Sequence, residues 1–265
     1  MKERINLYQF TAVELCQRTK IVRVFLPKDY DQNERRYPVL YMHDGQNLID
    51  PSPYSGYSWD VMDAMDATEG EGVIVVGIDA DPQMRILEYS GRVSERVQRI
   101  LTRQMPHTVI KPEGEAYARF IVQKVKPFID ESYRTLPDRS HTGIAGSSCG
   151  GNISLLMLFW FPDIFGIVGA FSPAIWIIKE NLFALATNAI IDESLRVYHD
   201  IGSKESRHFN FINIWRSRHL QKLMSRKGMD STFVCERGAT HTELFWQARF
   251  KKLLKRYFFA PKGEK

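Results

Sequence analysis

The chain has 265 residues, 44% hydrophobic, 25% charged and 12% aromatic, which excludes a long disordered protein and suffices for a large core without disulfides. Its three cysteines, Cys16, Cys149 and Cys235, are odd in number and widely spaced, so neither a disulfide framework nor a zinc site is expected. The net charge of +5 raises nucleic acid as a partner, but much of the excess lies at the C-terminus.

Arg249, Lys251, Lys252, Lys255, Arg256, Lys262 and Lys265 carry that excess. The first five alternate at helical spacing with Phe250, Leu253, Leu254, Tyr257 and Phe258, which reads as the solvated face of a terminal helix and not as a phosphate-binding stripe. No secretory apolar region follows Met1, and the most apolar stretch, 153–161, is far shorter than the ~20 residues that span a bilayer. The expectation is a soluble, cytoplasmic protein with neither nucleic acid nor membrane as partner.

In chain order, residues 5–10 and 21–26 predict an antiparallel edge, the second strand ended by Pro27. The continuous apolar runs 37–42 and 72–78 suit strands buried on both faces of a parallel sheet, with a helix over 58–65 between them. Helices are expected over 116–133, 152–160, 209–228 and 242–258, and strands over 141–145, 167–171, 195–201 and 232–236. This alternation predicts an α/β fold in one domain, 1–265, with a mainly parallel central sheet, an antiparallel N-terminal edge and helices on both faces.

The segment 90–115 breaks the rhythm. It holds no strand, is long for a plain connection, and carries Val93, Val97, Ile100, Leu101 and Met105 near helical spacing. Two readings stand: a surface excursion, or a lid or subunit contact near the carboxyl edge of the sheet, so that folding over the pocket or pairing with a second copy of the chain covers the stripe.

The chemistry concentrates in Gly146-Ser147-Ser148-Cys149-Gly150, which fits the G-x-S-x-G nucleophile elbow between a strand and an apolar helix. Tiny residues two before and two after the nucleophile let the backbones cross. That offset selects Ser148 over Ser147. A serine hydroxyl needs a base, and in this arrangement the acid and then the base follow in chain order. Only His241 of the seven histidines lies after the last strand. The acid should follow the strand 195–201; Glu205, in the loop beyond, is preferred to Asp200, within the strand end. The oxyanion hole needs two backbone N–H groups, expected from Cys149 and from Gln46 in the loop after 37–42, where His43 and Asp44 read as loop-bracing residues. Trp59 and Trp176 are candidate pocket walls. No metal or organic cofactor is implied.

These residues carry a resemblance. Tyr-Met-His-Asp-Gly-Gln-Asn (41–47), Val-Ile-Val-Val-Gly-Ile-Asp (73–79) followed by Arg85, Glu88 and Tyr89, Lys-Pro-Phe-Ile-Asp (126–130), Tyr-Arg-Thr-Leu-Pro-Asp (133–138), the elbow, and Phe-Ser-Pro-Ala-Ile-Trp (171–176) resemble the putative-esterase group of α/β-hydrolases. That group includes enterochelin esterase-like enzymes, esterase D and feruloyl esterases. The resemblance implies an α/β-hydrolase fold, with Ser148 as nucleophile, His241 as base and Glu205, three residues after Gly202, as acid; some members work as a Ser–His dyad. It implies a serine carboxylic-ester hydrolase for a small-molecule ester. The alternatives are an acyltransferase on the same scaffold, in which an alcohol other than water takes the acyl group, and a catalytically silent binding protein.

Overall fold

Eight strands form one sheet in the computed structural model, which describes residues 4–67, 70, 72–190, 194–206 and 210–259. They are β1 (Ile5–Ala12), β2 (Arg18–Phe25), β3 (Val39–His43), β4 (Ile74–Ile78), β5 (Thr142–Ser147), β6 (Ile167–Phe171), β7 (Arg196–Gly202) and β8 (Asp230–Glu236), in the order β1-β2-β4-β3-β5-β6-β7-β8. β1 and β2 pair antiparallel, as do β2 and β4, and every pairing from β4 to β8 is parallel. The expected architecture, antiparallel edge included, is the observed one.

The continuous apolar runs have a simple cause. Successive strand residues point to opposite faces, and here both faces are covered. Val39, Tyr41, Ile74, Val76 and Ile78 belong to one buried cluster, while Leu40, Met42, Val73 and Val75 belong to the other. The first cluster is closed by α4 (Gly114–Phe120), α6 (Cys149–Trp160), α7 (Ile175–Asn188) and α8 (Asn210–Arg226), which contribute Phe120, Ile153, Leu182 and Leu220. The second is closed by α1 (Val61–Asp66) and α9 (Glu243–Tyr257) through Val61, Trp246 and Phe250.

The structure departs from expectation in four places. Residues 116–133 do not form one helix: α4 ends at Phe120, a wide π-type turn fills Ile121–Val125, and α5 (Lys126–Ser132) begins with Pro127 in its first turn, where a missing N–H costs little. Helix α7 has no counterpart among the predicted elements. Trp59, a proposed pocket wall, is 1% exposed; it stacks on Trp246 at 5.7 Å between ring centres and meets Phe171 and Phe250 edge-on, so it is core. Arg249, read as part of a solvated face, is 1% exposed and ion-paired to Asp200. Lys262 and Lys265 lie outside the described residues.

The short helix α2 (Arg85–Glu88) follows β4, and the segment 90–115 contains α3 (Glu95–Gln104). Val97 and Leu101 of α3 enter the first core cluster and Val93 packs against it, so the chain itself covers much of the apolar stripe. Among the described residues no helix is long and apolar enough to cross a membrane.

Candidate active site

β5 runs through Ser147 directly into α6, and Ser148 is the turn between them. Its backbone sits at φ 57° and ψ −120°, a conformation that a residue with a Cβ adopts only under strain. Tight packing enforces it. A Cβ on Gly146 would lie 2.9 Å from the Gly150 carbonyl carbon and 3.0 Å from the His43 ring, so the strand and helix backbones cross only because that position is glycine. The Ser148 N–H donates to the Phe171 carbonyl at 2.9 Å, and its own carbonyl accepts from Ala174 N–H at 3.2 Å. The side chain of Ser148 is partly exposed, whereas Ser147 is 4% exposed.

The chain leaves β3 through Asp44, in the left-handed region at φ 58°, and enters the 3-10 turn Gly45–Asn47. The Asp44 carboxylate receives a bidentate pair of bonds from Arg85, both 2.7 Å, and its N–H donates to the Tyr89 hydroxyl at 3.1 Å. His43 Nδ1 contacts the Tyr117 hydroxyl at 2.9 Å. Both residues therefore brace the loop, as read from the sequence. Gln46 pins it to the segment just after β4 by accepting the Ala80 N–H on its side-chain oxygen at 3.0 Å. The N–H groups of Gln46 and Cys149 each belong to a helix's first turn, where leading N–H groups have no partner inside the helix. The Cys149 side chain is buried, and burial raises its thiol pKa, so the group stays neutral.

Glu205 and His241 come together from different loops. Glu205 lies just past β7, and its Oε2 stands 3.0 Å from His241 Nδ1. Its other oxygen accepts from the Gly202 N–H at 2.5 Å and from the Ser172 hydroxyl. Burial opposes its charge, but the bonds from His241, Ser172 and Gly202 outweigh burial and hold its carboxyl below the usual range. With Nδ1 engaged, Nε2 is the ring nitrogen left for other chemistry. His241 is partly open to solvent and meets the Trp246 ring edge-on at 5.0 Å.

Asp200 is not part of this pair. It is fully buried and accepts from Arg249 at 2.8 Å, the Tyr198 hydroxyl at 2.9 Å and the Ser172 N–H at 3.0 Å. Burial drives its carboxyl above the ordinary value, against the pull of Arg249, and its contacts are structural. Sequence reasoning missed Ser172, which holds the two halves together. Its φ of 48° lets the chain turn sharply after β6; its hydroxyl donates to Glu205 and accepts from Trp246 Nε1 at 2.9 Å; and Ala174, two residues on, donates to Ser148. The positive φ is invisible in Phe-Ser-Pro-Ala, although a serine before proline at the end of a strand is a turn signal. Trp176, in the first turn of α7, is 38% exposed and lines an open cavity, in contrast to Trp59. Among the described residues no cluster of three or more His, Cys, Asp or Glu stands ready to hold a metal ion.

The profile of the family described as Putative esterase matches residues 14–257. The chain belongs to the putative esterase family. The Bacillus subtilis (strain 168) protein YbbA is 23% identical to it over 238 residues, which is 86% of this chain and 88% of that one. The structure of this chain is similar to that of the siderophore hydrolase EstB from Aspergillus nidulans, with a TM-score of 0.75 at 16% identity over 99% of this chain and 98% of that one. It is also similar to a ferulic acid esterase, with a TM-score of 0.68 at 21% identity over 96% and 97% of the two chains.

Two buried imidazoles give this esterase-family chain a pH signature. Burial lowers the pKa of His43 to about 3 and that of His199 to about 4. Both are neutral when folded, and the unfolded chain takes up the proton first, below its ordinary value of 6.5. Their contribution to stability is therefore complete above that value and is lost as pH falls toward the folded values. Asp200, whose carboxyl burial raises to about 7, acts in the opposite direction over the same range, so the signature is read by difference. Between about pH 7 and about pH 4.5 urea unfolding of the parent should lose about 2 kcal/mol more stability than that of a His199→Gln variant. Equal losses in the two chains would contradict neutral burial of that ring.

Proposed function

We propose that this chain is a serine carboxylic-ester hydrolase that cleaves small acyl esters through an acyl-enzyme. The family, and the names of the structural neighbours, support ester hydrolysis as the reaction class. The observation that carries the serine mechanism is the strained turn at Ser148, with φ 57° and ψ −120°, at the head of an apolar helix. Strain of this kind costs about 1–3 kcal/mol and persists where function requires the exposed position.

In this reading Ser148 Oγ attacks the ester carbonyl carbon while His241 Nε2 takes the hydroxyl proton. The carbonyl oxygen becomes an oxyanion that accepts from the N–H groups of Cys149 and Gln46; one such donor is worth about 10²–10³ in rate. Collapse of the tetrahedral intermediate breaks the bond to the alcohol, which leaves with the proton from His241. Water then attacks the acyl-enzyme, giving its proton to His241, and the acid departs as Ser148 regains its hydrogen. Glu205 holds the imidazole tautomer through Nδ1 and stabilises the imidazolium.

The test is product analysis with para-nitrophenyl acetate, butyrate and octanoate, in water and with added alcohol. Free carboxylic acid should be the main product, with rates falling as the acyl chain lengthens. Transfer to the alcohol as the dominant outcome would make the chain an acyltransferase, and no turnover of any ester would make it a binding protein.

A further inference from the structure

A cavity of about 580 Å³ is walled by α3 of the 90–115 segment, by the first two turns of α7 and α8, and by Ser206. Its apolar wall is Val97, Ile100, Trp176 and Ile212, and two guanidinium groups, Arg96 and Arg216, line it as well. Two chain links tie it to the site. Ser206, on its wall, follows Glu205 directly, and Trp176 stands two residues after Ala174, which donates to the Ser148 carbonyl.

The charges of this cavity are unbalanced. Lys179 and Glu180, also on its wall, pair with each other at 3.9 Å. Glu95, next to Arg96 in sequence, is 3.8 Å from Arg99, one turn further along α3. Arg216 contacts a neutral partner, the Asn213 side-chain oxygen, at 3.4 Å. Among the described residues neither Arg96 nor Arg216 has a carboxylate partner. Two cations over an apolar wall match an anion carried on an apolar arm, and a guanidinium's planar fork fits a carboxylate with two parallel bonds.

Resting on the hydrolytic reading of Ser148, we propose that this cavity binds a carboxylate on one arm of the ester, so that the preferred substrates are esters that also carry a carboxylate. Arg96 and Arg216 are then specificity residues, and α3 contributes to substrate choice by lining the cavity.

The test uses the full chain and two matched pairs of substrates. Monomethyl and dimethyl adipate differ in a carboxylate on the acyl arm; para-acetoxybenzoate and its methyl ester differ in one on the alcohol arm. In at least one pair kcat/KM should favour the carboxylate, and the preference should shrink as salt rises, because both cations are reached by solvent. The Arg96→Gln/Arg216→Gln double variant should lower the carboxylate-to-neutral ratio about tenfold or more, as expected for losing a charge-assisted bond, and Arg216→Lys on its own should lower it less than Arg216→Gln. A preference for the neutral ester in both pairs, or a ratio unmoved by salt and by the double variant, would overturn the proposal while leaving ester hydrolysis intact. No hydrolysis of any of the four would overturn both readings.

Discussion

Ser148→Ala is expected to lower kcat for ester hydrolysis by at least about 10⁴-fold, with the far-ultraviolet circular dichroism of the parent. Ser147→Ala should keep most of the activity, because Ser147 closes β5 as a buried strand residue and only Ser148 occupies the turn. The strained backbone adds a second, independent expectation. Ser148→Gly removes the Cβ that φ 57° and ψ −120° disfavour, so it should abolish activity and raise stability by about 1 kcal/mol or more. A residue kept for packing would show the reverse, losing stability on truncation. If Ser147→Ala were the inactive variant, the elbow would be wrongly registered.

Glu205→Gln should lower kcat by about 10³–10⁴-fold, since an amide cannot stabilise the imidazolium and favours the wrong tautomer of His241. Asp200→Asn should behave differently. It breaks a fully buried pair with Arg249, at a cost of about 3–5 kcal/mol of stability, and the folded fraction should lose less activity than Glu205→Gln. The two effects separate when rates are taken at a temperature well below the unfolding transition. Near-normal rates for Glu205→Gln would mean that His241 works without a carboxylate, or, if Asp200→Asn were the crippled variant, that Asp200 holds the role.

Much of this site is written in local sequence. The elbow is legible because its glycines are dictated by backbone crossing, and the single histidine after the last strand leaves one candidate for the proposed base. Glu205 is legible because the strand before it ends in Gly202, after which a loop must follow. Other features depend on the third dimension. Helix α7 begins with Ile175, Trp176, Ile177 and Ile178, an unbroken apolar run rich in β-branched residues that lacks a polar face to reveal the helical period. Trp59 and Trp176 have the same chemistry, and only packing decides that the first fills the core under α9 and the second lines a cavity. Arg249 sits among solvated cations in sequence, yet its position on α9 turns it toward Asp200 at the end of β7. The wide turn Ile121–Val125 absorbs a proline that the helical pattern before it does not anticipate.

In the proposed reaction Ser148 Oγ carries the acyl group, and covalent trapping reads this out. Incubation with a fluorophosphonate, followed by mass spectrometry of the intact chain and then of its peptides, should give one adduct per chain, mapped to Ser148, with loss of ester hydrolysis in proportion to labelling. The His241→Ala variant should label far more slowly, because the hydroxyl has lost its base. An adduct on a different residue, or full hydrolytic activity in a chain stoichiometrically labelled at Ser148, would contradict the account.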